Sequence, residues 1–132
     1  MLALTVQQPW ATLIVLGHKR LEARRFTPTH RGQIAIHASS SEDGLAWAMQ
    51  CQPLQDFLHA AGLDLGSLPM GVILGECQLA SVTQTPPNPD LGAYGWFLNG
   101  RFTWHLSNPV AYSVPLKAKG FVRLWPWEKP ER

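Results

Sequence analysis

A proline, a glycine and a burst of charge divide residues 7–25, QQPWATLIVLGHKRLEARR, into three parts, and no other stretch restricts the fold as much. Pro9 fits the first turn of a helix, where a missing N–H costs nothing, and Gly17 fits its C-terminal cap. Trp10 to Leu16 is therefore predicted as about two helical turns. Past the cap, Lys19, Arg20, Glu22 and Arg24 put four ionisable side chains within six positions, a density that no purely structural segment needs beside an apolar helix. KRLEARRF reads as a strand. Side chains alternate there, so Glu22 and Arg24 share one face while Leu21 and Ala23 take the other. Lys19 stands at the helix-to-strand corner, from which a long side chain reaches back over the same face. Two cations and one carboxylate then converge near a helix end.

The 132 residues suit one domain, residues 1–132, large enough to bury a core without staples. Hydrophobic residues are 45% and charged residues 15%, below the roughly 25% of an average soluble protein, so a compact fold is expected. No run approaches the roughly 18 apolar residues of a membrane span. The start MLALTV lacks the basic region and long apolar core of a signal peptide. The expectation is a cytoplasmic protein, monomeric, with no membrane association. Cys51 and Cys77 show no metal-ligand spacing and read as small core residues, so no metal and no cofactor is expected.

Charge is segregated along the chain. Residues 18–31 carry five Lys or Arg against Glu22 alone, residues 32–100 carry none against six acids, and residues 101–132 carry six against two. If the fold brings the two basic ends together, a local positive face results that a net charge of +2 conceals, which favours an anionic partner.

Leu2 to Val6 is a short β-prone opening. After a turn over Thr27 to Gly32, GQIAIHA alternates as a half-buried strand, with Ile34, Ile36 and Ala38 on one face and Gln33, Ala35 and His37 on the other. Ser39 to Ser41, ahead of Glu42 and Asp43, looks like a helix start. Leu45 to Ala61 is mostly helical in pattern, broken or kinked at Pro53, with Trp47 and Cys51 in an apolar stripe read as core. GVILGECQLASV is a long buried strand in which Glu76 stands among apolar neighbours and needs a partner or a shifted pKa. Residues 85–95 form a Pro/Gly-rich surface loop. WFL and RFTWHL then flank Asn99-Gly100, the strongest short-range hairpin signal in the chain. Val110 to Leu116 and FVRLWPW supply the last strands. About six strands and two or three short helices suggest an α+β fold, a small mixed sheet curled into a partly closed barrel.

Three uses of Lys19, Glu22 and Arg24 compete. As a surface network they contribute only about 0–1 kcal/mol per pair. As a binding site, the cations meet phosphate or a base carbonyl, Glu22 accepts from a base amino group and Trp10 stacks on the ring. As a catalytic site, Lys19 loses its proton or Glu22 acts as general base. The residues alone leave the last two open. No nucleophilic triad, phosphate-binding loop, dinucleotide fingerprint or zinc spacing is present.

QQPW, an apolar helix and GHKRLEAR resemble the GxKxxExR signature of the ASCH domain family within the PUA-like superfamily. RGQIAIHAS, GVILGECQL and WHLSNPVAYSVPLKAKGFVRLW are similar to its later strands, so the resemblance spans nearly the whole chain. It implies a PUA-like β-barrel with a cleft between the first helix and the signature strand. It also implies binding of RNA or other nucleic acid, in some members with modified bases. Other members look like enzymes, either N4-acetylcytidine amidohydrolases or a ribonuclease. For the amidohydrolases the implied site has a lysine matched by Lys19, a threonine nucleophile at the position of Glu22 and a later glutamate. Here the threonine is absent, and neither Glu76 nor Asp90 is an assigned match for the later acid.

The expected function is an ASCH domain binding RNA, single-stranded nucleic acid or a nucleoside beside the motif. Its ligand-binding residues would be Gln8, Trp10, Lys19, Glu22, Arg24, His37 and Ser39. The alternative is a hydrolase with Lys19 and Glu22 as its acid/base pair. A third reading, a protein-interaction module, would show a large exposed apolar patch around Trp125 and Trp127 and no polar cleft.

Overall fold

The computed structural model describes residues 1–130; the last two residues of the expected domain lie outside them. Six strands form one sheet: β1 (Leu2–Val6), β2 (Leu21–Arg24), β3 (Gly32–Ala38), β4 (Val72–Gln84), β5 (Phe102–Lys117) and β6 (Leu124–Pro126). Their order across the sheet is β2-β5-β4-β3-β1-β6. The β1–β3 pair is parallel and every other pair antiparallel. Among the described residues three α-helices, α1 (Trp10–Val15), α2 (Asp43–Ala48) and α3 (Gln52–Ala60), and a 3-10 turn at Leu65–Ser67 accompany the sheet in the expected α+β architecture. Among the described residues no helix is long and apolar enough to cross a membrane.

The sheet curls because its long central strands are irregular. Register shifts interrupt β4–β5 at three places, and such bulges bend a strand and increase its twist. The concave face closes over α1, which packs against β3, β4 and β5 with all six of its residues buried. A helix this short needs such enclosure, since six residues cannot hold a helix in water. Leu13 and Ile14 of α1 join Leu4, Ile34, Ile36, Leu79 and Trp104 in the core. Gly17 ends α1 as expected, at φ +84°, where glycine carries no Cβ penalty. The N–H groups of His18 and Lys19 both bond to Leu13 O, which folds the chain back beneath the helix and aims Lys19 toward β2.

Several expectations change. Strand β3 is buried on both faces, because a second cluster of Ala3, Ala35, Ile73 and Trp125 covers the side opposite α1. Trp125 is 5% exposed and Trp127 packs partly against that cluster, so neither forms an open apolar patch. The helical stretch over Leu45 to Ala61 is broken near Pro53 as expected, into two helices with Pro53 in the first turn of the second. Asn99-Gly100 does not turn a hairpin: β5 pairs with β4 and β2, and residues 85–101 form a long connection instead. Gly100, at φ +148°, meets the Arg24 backbone so closely that a Cβ would come within 2.3 Å of it. Close approach, rather than hairpin geometry, explains that glycine.

Glu76 is half-buried and sits in a polar cluster rather than among apolar neighbours. Its carboxylate accepts from the Gln33 amide and the Tyr112 hydroxyl, with Lys129 at 3.7 Å. Burial and Glu76 together raise the Tyr112 pKa. Cys77 is buried and free, and burial, with Glu76 adding to it, pushes its thiol up to about 12, which makes it a packing residue.

Candidate functional site

The pairing of β2 with β5 fixes the three charged residues of the signature. Glu22 lies opposite Trp104 and Arg24 opposite Phe102, so β2 follows the β5 edge and alternates its side chains as the sequence requires. Lys19 Nζ donates to Leu21 O and to Glu22 Oε1, each at 2.5 Å. Arg24 Nε donates to Glu22 Oε2 at 2.8 Å and its Nη2 to Thr5 O at 2.9 Å. Among the described residues, Arg24 Nη1 has no protein partner. The carboxylate is thus clamped from two sides by cations.

Burial governs the electrostatics. Lys19 is only 3% exposed, and desolvation holds its pKa below the ordinary lysine value although Glu22 opposes the shift. For Glu22, burial alone would raise the pKa, but Lys19 and Arg24 more than reverse it, so the carboxyl lies below the usual range and stays ionised near neutral pH. A fixed negative charge with two hydrogen-bonded cations is the result.

Glu22 and Arg24 open onto a cleft of about 480 Å³, within the roughly 300–1,000 Å³ of small-molecule sites. Trp47 and Phe97 supply an aromatic wall, with Asp43 and Gly44 beside them from α2. Phe121, Val122 and Arg123 also line the cleft, and Gln7, Ser39 and Asn99 add polar groups. The two basic ends of the sequence meet here, since Arg24 and Arg123 both line the cleft.

The expected residues fall into two groups. Trp10, Glu22, Arg24 and Ser39 line the cleft. Trp10 is only 4% exposed, donates from Nε1 to Gly95 O at 2.7 Å, and lies 4.6 Å from the Phe97 ring and 5.7 Å from the Trp47 ring. It is the support behind the aromatic wall. Lys19 is behind Glu22, off the lining, because its ammonium is spent on the carboxylate and on Leu21 O. Gln8 is fully buried and ties Pro69 O to the Thr12 N–H, a brace for α1. Its neighbour Gln7 reaches the cleft instead, with an amide oxygen unpaired among the described residues.

His37 is also off the lining. It is 2% exposed and its Nε2 donates to Ala118 O at 2.7 Å, the carbonyl being able only to accept. Nδ1 then takes the Thr5 hydroxyl at 3.1 Å, while Thr5 Oγ1 accepts from Trp125 Nε1 at 2.9 Å. This arrangement needs a neutral imidazole, and burial lowers the His37 pKa from its ordinary 6.5. The unfolded chain therefore binds a proton that the folded chain resists. The contribution is complete above about pH 6.5 and is lost as pH falls through the lower folded-state pKa, by up to about 1.4 kcal/mol per pH unit. Urea midpoints at pH 7.5 and 5.5 should fall for the native protein and fall less for His37→Gln, which keeps an amide donor for Ala118. Equal slopes for the two proteins would contradict this role.

Sequence reasoning did not single out Phe97, Phe121 or Arg123, and took Trp47 for core although it is 38% exposed. Gly44 and Ala48 form the buried face of α2, while the Trp47 indole lines the cleft. Phe97 comes from a loop with no periodicity to read.

Comparison with known proteins agrees with this architecture. The ASCH domain model matches residues 4–111. Activating signal cointegrator 1 from Homo sapiens and from Mus musculus are each 27% identical over 128 residues, which is 92% of this chain and 21% of the relative. The chain thus spans about a fifth of the length of these curated relatives. Among solved structures, ASCH from Zymomonas mobilis superposes with a TM-score of 0.56 at 16% identity, covering 88% of this chain and 72% of that one. Two mutant forms of the Zymomonas mobilis protein superpose at 0.51 and 14% identity, covering 88% of this chain and 72% and 74% of theirs. These likenesses concern the fold, and with the match over residues 4–111 they establish that the chain belongs to the ASCH domain family.

Proposed function

We propose that this ASCH domain binds nucleic acid by admitting one base, plain or modified, to the cleft beside β2. The observation that carries the reading is an ionised carboxylate, Glu22, fixed between Lys19 and Arg24 at the side of a cleft walled by Trp47 and Phe97. Each carboxylate oxygen keeps a second lone pair after its bond to a cation, so Glu22 accepts from a base amino or ring N–H. Arg24 Nη1 donates to a carbonyl or phosphate oxygen, and the aromatic wall takes the π-face that every base has. Lys19 holds the carboxylate in place without touching the ligand.

The hydrolase alternative requires Lys19 or Glu22 to exchange a proton with substrate. Lys19 is spent on protein partners, and the depressed Glu22 pKa makes it a weak base, which favours binding over turnover. Titration with a labelled ribohexamer over a salt series tests the proposal. Trp47→Ala should weaken binding about 5- to 100-fold with the salt slope unchanged. Arg24→Ala should weaken it and, where the contact is a phosphate, reduce the slope by about one. Wild-type affinity in both variants would refute the cleft as the site. Hydrolysis of nucleoside or RNA, abolished in Glu22→Gln while binding survives, would replace the binder with the enzyme.

A further inference from the structure

The rim formed by residues 119–123, which meets the cleft at Phe121, Val122 and Arg123, is built as a second contact surface. Residues 118–123 run from the end of β5 to β6 and are pinned at both ends. Ala118 bonds to His37 through its carbonyl and to Gly71 O through its N–H, while Leu124 to Pro126 pair with β1. Between these anchors Gly120 lies against β1 and β3, where a Cβ would come within 2.5 Å of the His37 ring and 2.8 Å of Thr5 Oγ1. The backbone of this segment is therefore held close to the sheet. Phe121 is 55% and Val122 84% exposed. Phe121 rests on Trp125 at 5.5 Å and 66°, and Trp125 is itself buried and bonded to Thr5. A propped ring with an open side, on a segment that does not need it for packing, is a platform.

Charge indicates what the platform receives. Lys119 Nζ lies 5.9 Å from the Phe121 centroid, and the Arg123 guanidinium lies 4.2 Å over Phe26 with Arg123 also lining the cleft. On α2 the cleft is lined by Asp43, with Glu42 just before it, and residues 32–100 contain no Lys or Arg. An anionic backbone is repelled by the α2 rim and attracted by the 119–123 rim. Resting on the reading of the cleft as a base site, we propose that residues 119–123 hold the adjoining nucleotide of the same strand, its base on Phe121 and its phosphate beside Lys119 and Arg123. The ligand is then an unpaired strand of two or more nucleotides. A free nucleoside leaves the rim unused, and a duplex keeps its bases stacked on one another and away from the ring.

Competition of a labelled randomised ribohexamer by the four nucleoside 5′-monophosphates provides the test. The hexamer should bind at least about tenfold more tightly than the best monophosphate, the gain expected of one added stacked base. Phe121→Ser and Lys119→Ser should each reduce that hexamer-to-monophosphate ratio several-fold, and Phe121→Trp should restore it. Lys119→Ser should also lower the salt slope by about one. A hexamer no tighter than a monophosphate, or a ratio unchanged in both serine variants, would overturn the second contact while leaving the base site standing. Weakening by Phe121→Ser but not by Trp47→Ala or Arg24→Ala would do the reverse, keeping the rim and sinking the cleft. Binding of neither probe would remove both.

Discussion

Glu22→Gln should destabilise the fold by about 3–5 kcal/mol at pH 7, the cost of removing one member of a buried ion pair and leaving the other charged. The residue left behind is Lys19, only 3% exposed and, among the described residues, with no second carboxylate within reach. Lys19→Met should cost less, because Glu22 would keep Arg24, whose side chain is 24% exposed and partly solvated. The pH dependence provides an internal control. A carboxyl with a depressed folded-state pKa contributes stability that is complete above its ordinary value of 4.5 and is lost as pH falls through the lower folded value. Native and Glu22→Gln urea curves should therefore separate at pH 7 and draw together under acid conditions. A loss below about 1 kcal/mol at pH 7 would place the triad with ordinary surface pairs.

The second large effect is expected at Gly44, in the first turn of α2. A Cβ there would lie 2.4 Å from Gln8 O, 2.8 Å from the Trp10 ring and 2.9 Å from Gln7 Cβ. Two of those contacts belong to backbone or to a packed indole, so α2 itself must move. Gly44→Ala should destabilise by about 1–3 kcal/mol, as overpacking does, and carry Trp47 away from the cleft. Thermal midpoint and ribohexamer affinity should both drop. Gly62→Ala is the comparison: φ is +76° but nothing lies within 4 Å of the new Cβ, so stability should fall while affinity holds. Unchanged affinity in Gly44→Ala would mean that the position of α2 does not matter to binding.

The sequence disclosed local features well. Gly17 as a helix stop, the shared face of Glu22 and Arg24, and the break before Pro53 all follow from residue-level rules that act within a few positions. It disclosed poorly whatever depended on what packs from far away. Glu76 was legible as a carboxylate in a strand, but its partners Gln33, Tyr112 and Lys129 come from other segments. Asn99-Gly100 carries a strong local turn signal that lost to a tertiary constraint, the passage of Arg24 beside Gly100. The choice between Gln7 and Gln8 had no local signal at all, since it turns on which one faces α1.

The cleft is assembled from five separated stretches: residues near Thr5 to Trp10, then Glu22 to Arg24, Ser39 to Trp47, Phe97 to Asn99 and Phe121 to Arg123. No fragment of the chain contains it. A guest seated there stitches the opening strand, the signature, the second helix, the long connection and the closing segment to one another. Its binding energy then adds to the cohesion of the whole molecule, so occupancy and resistance to unfolding must rise together.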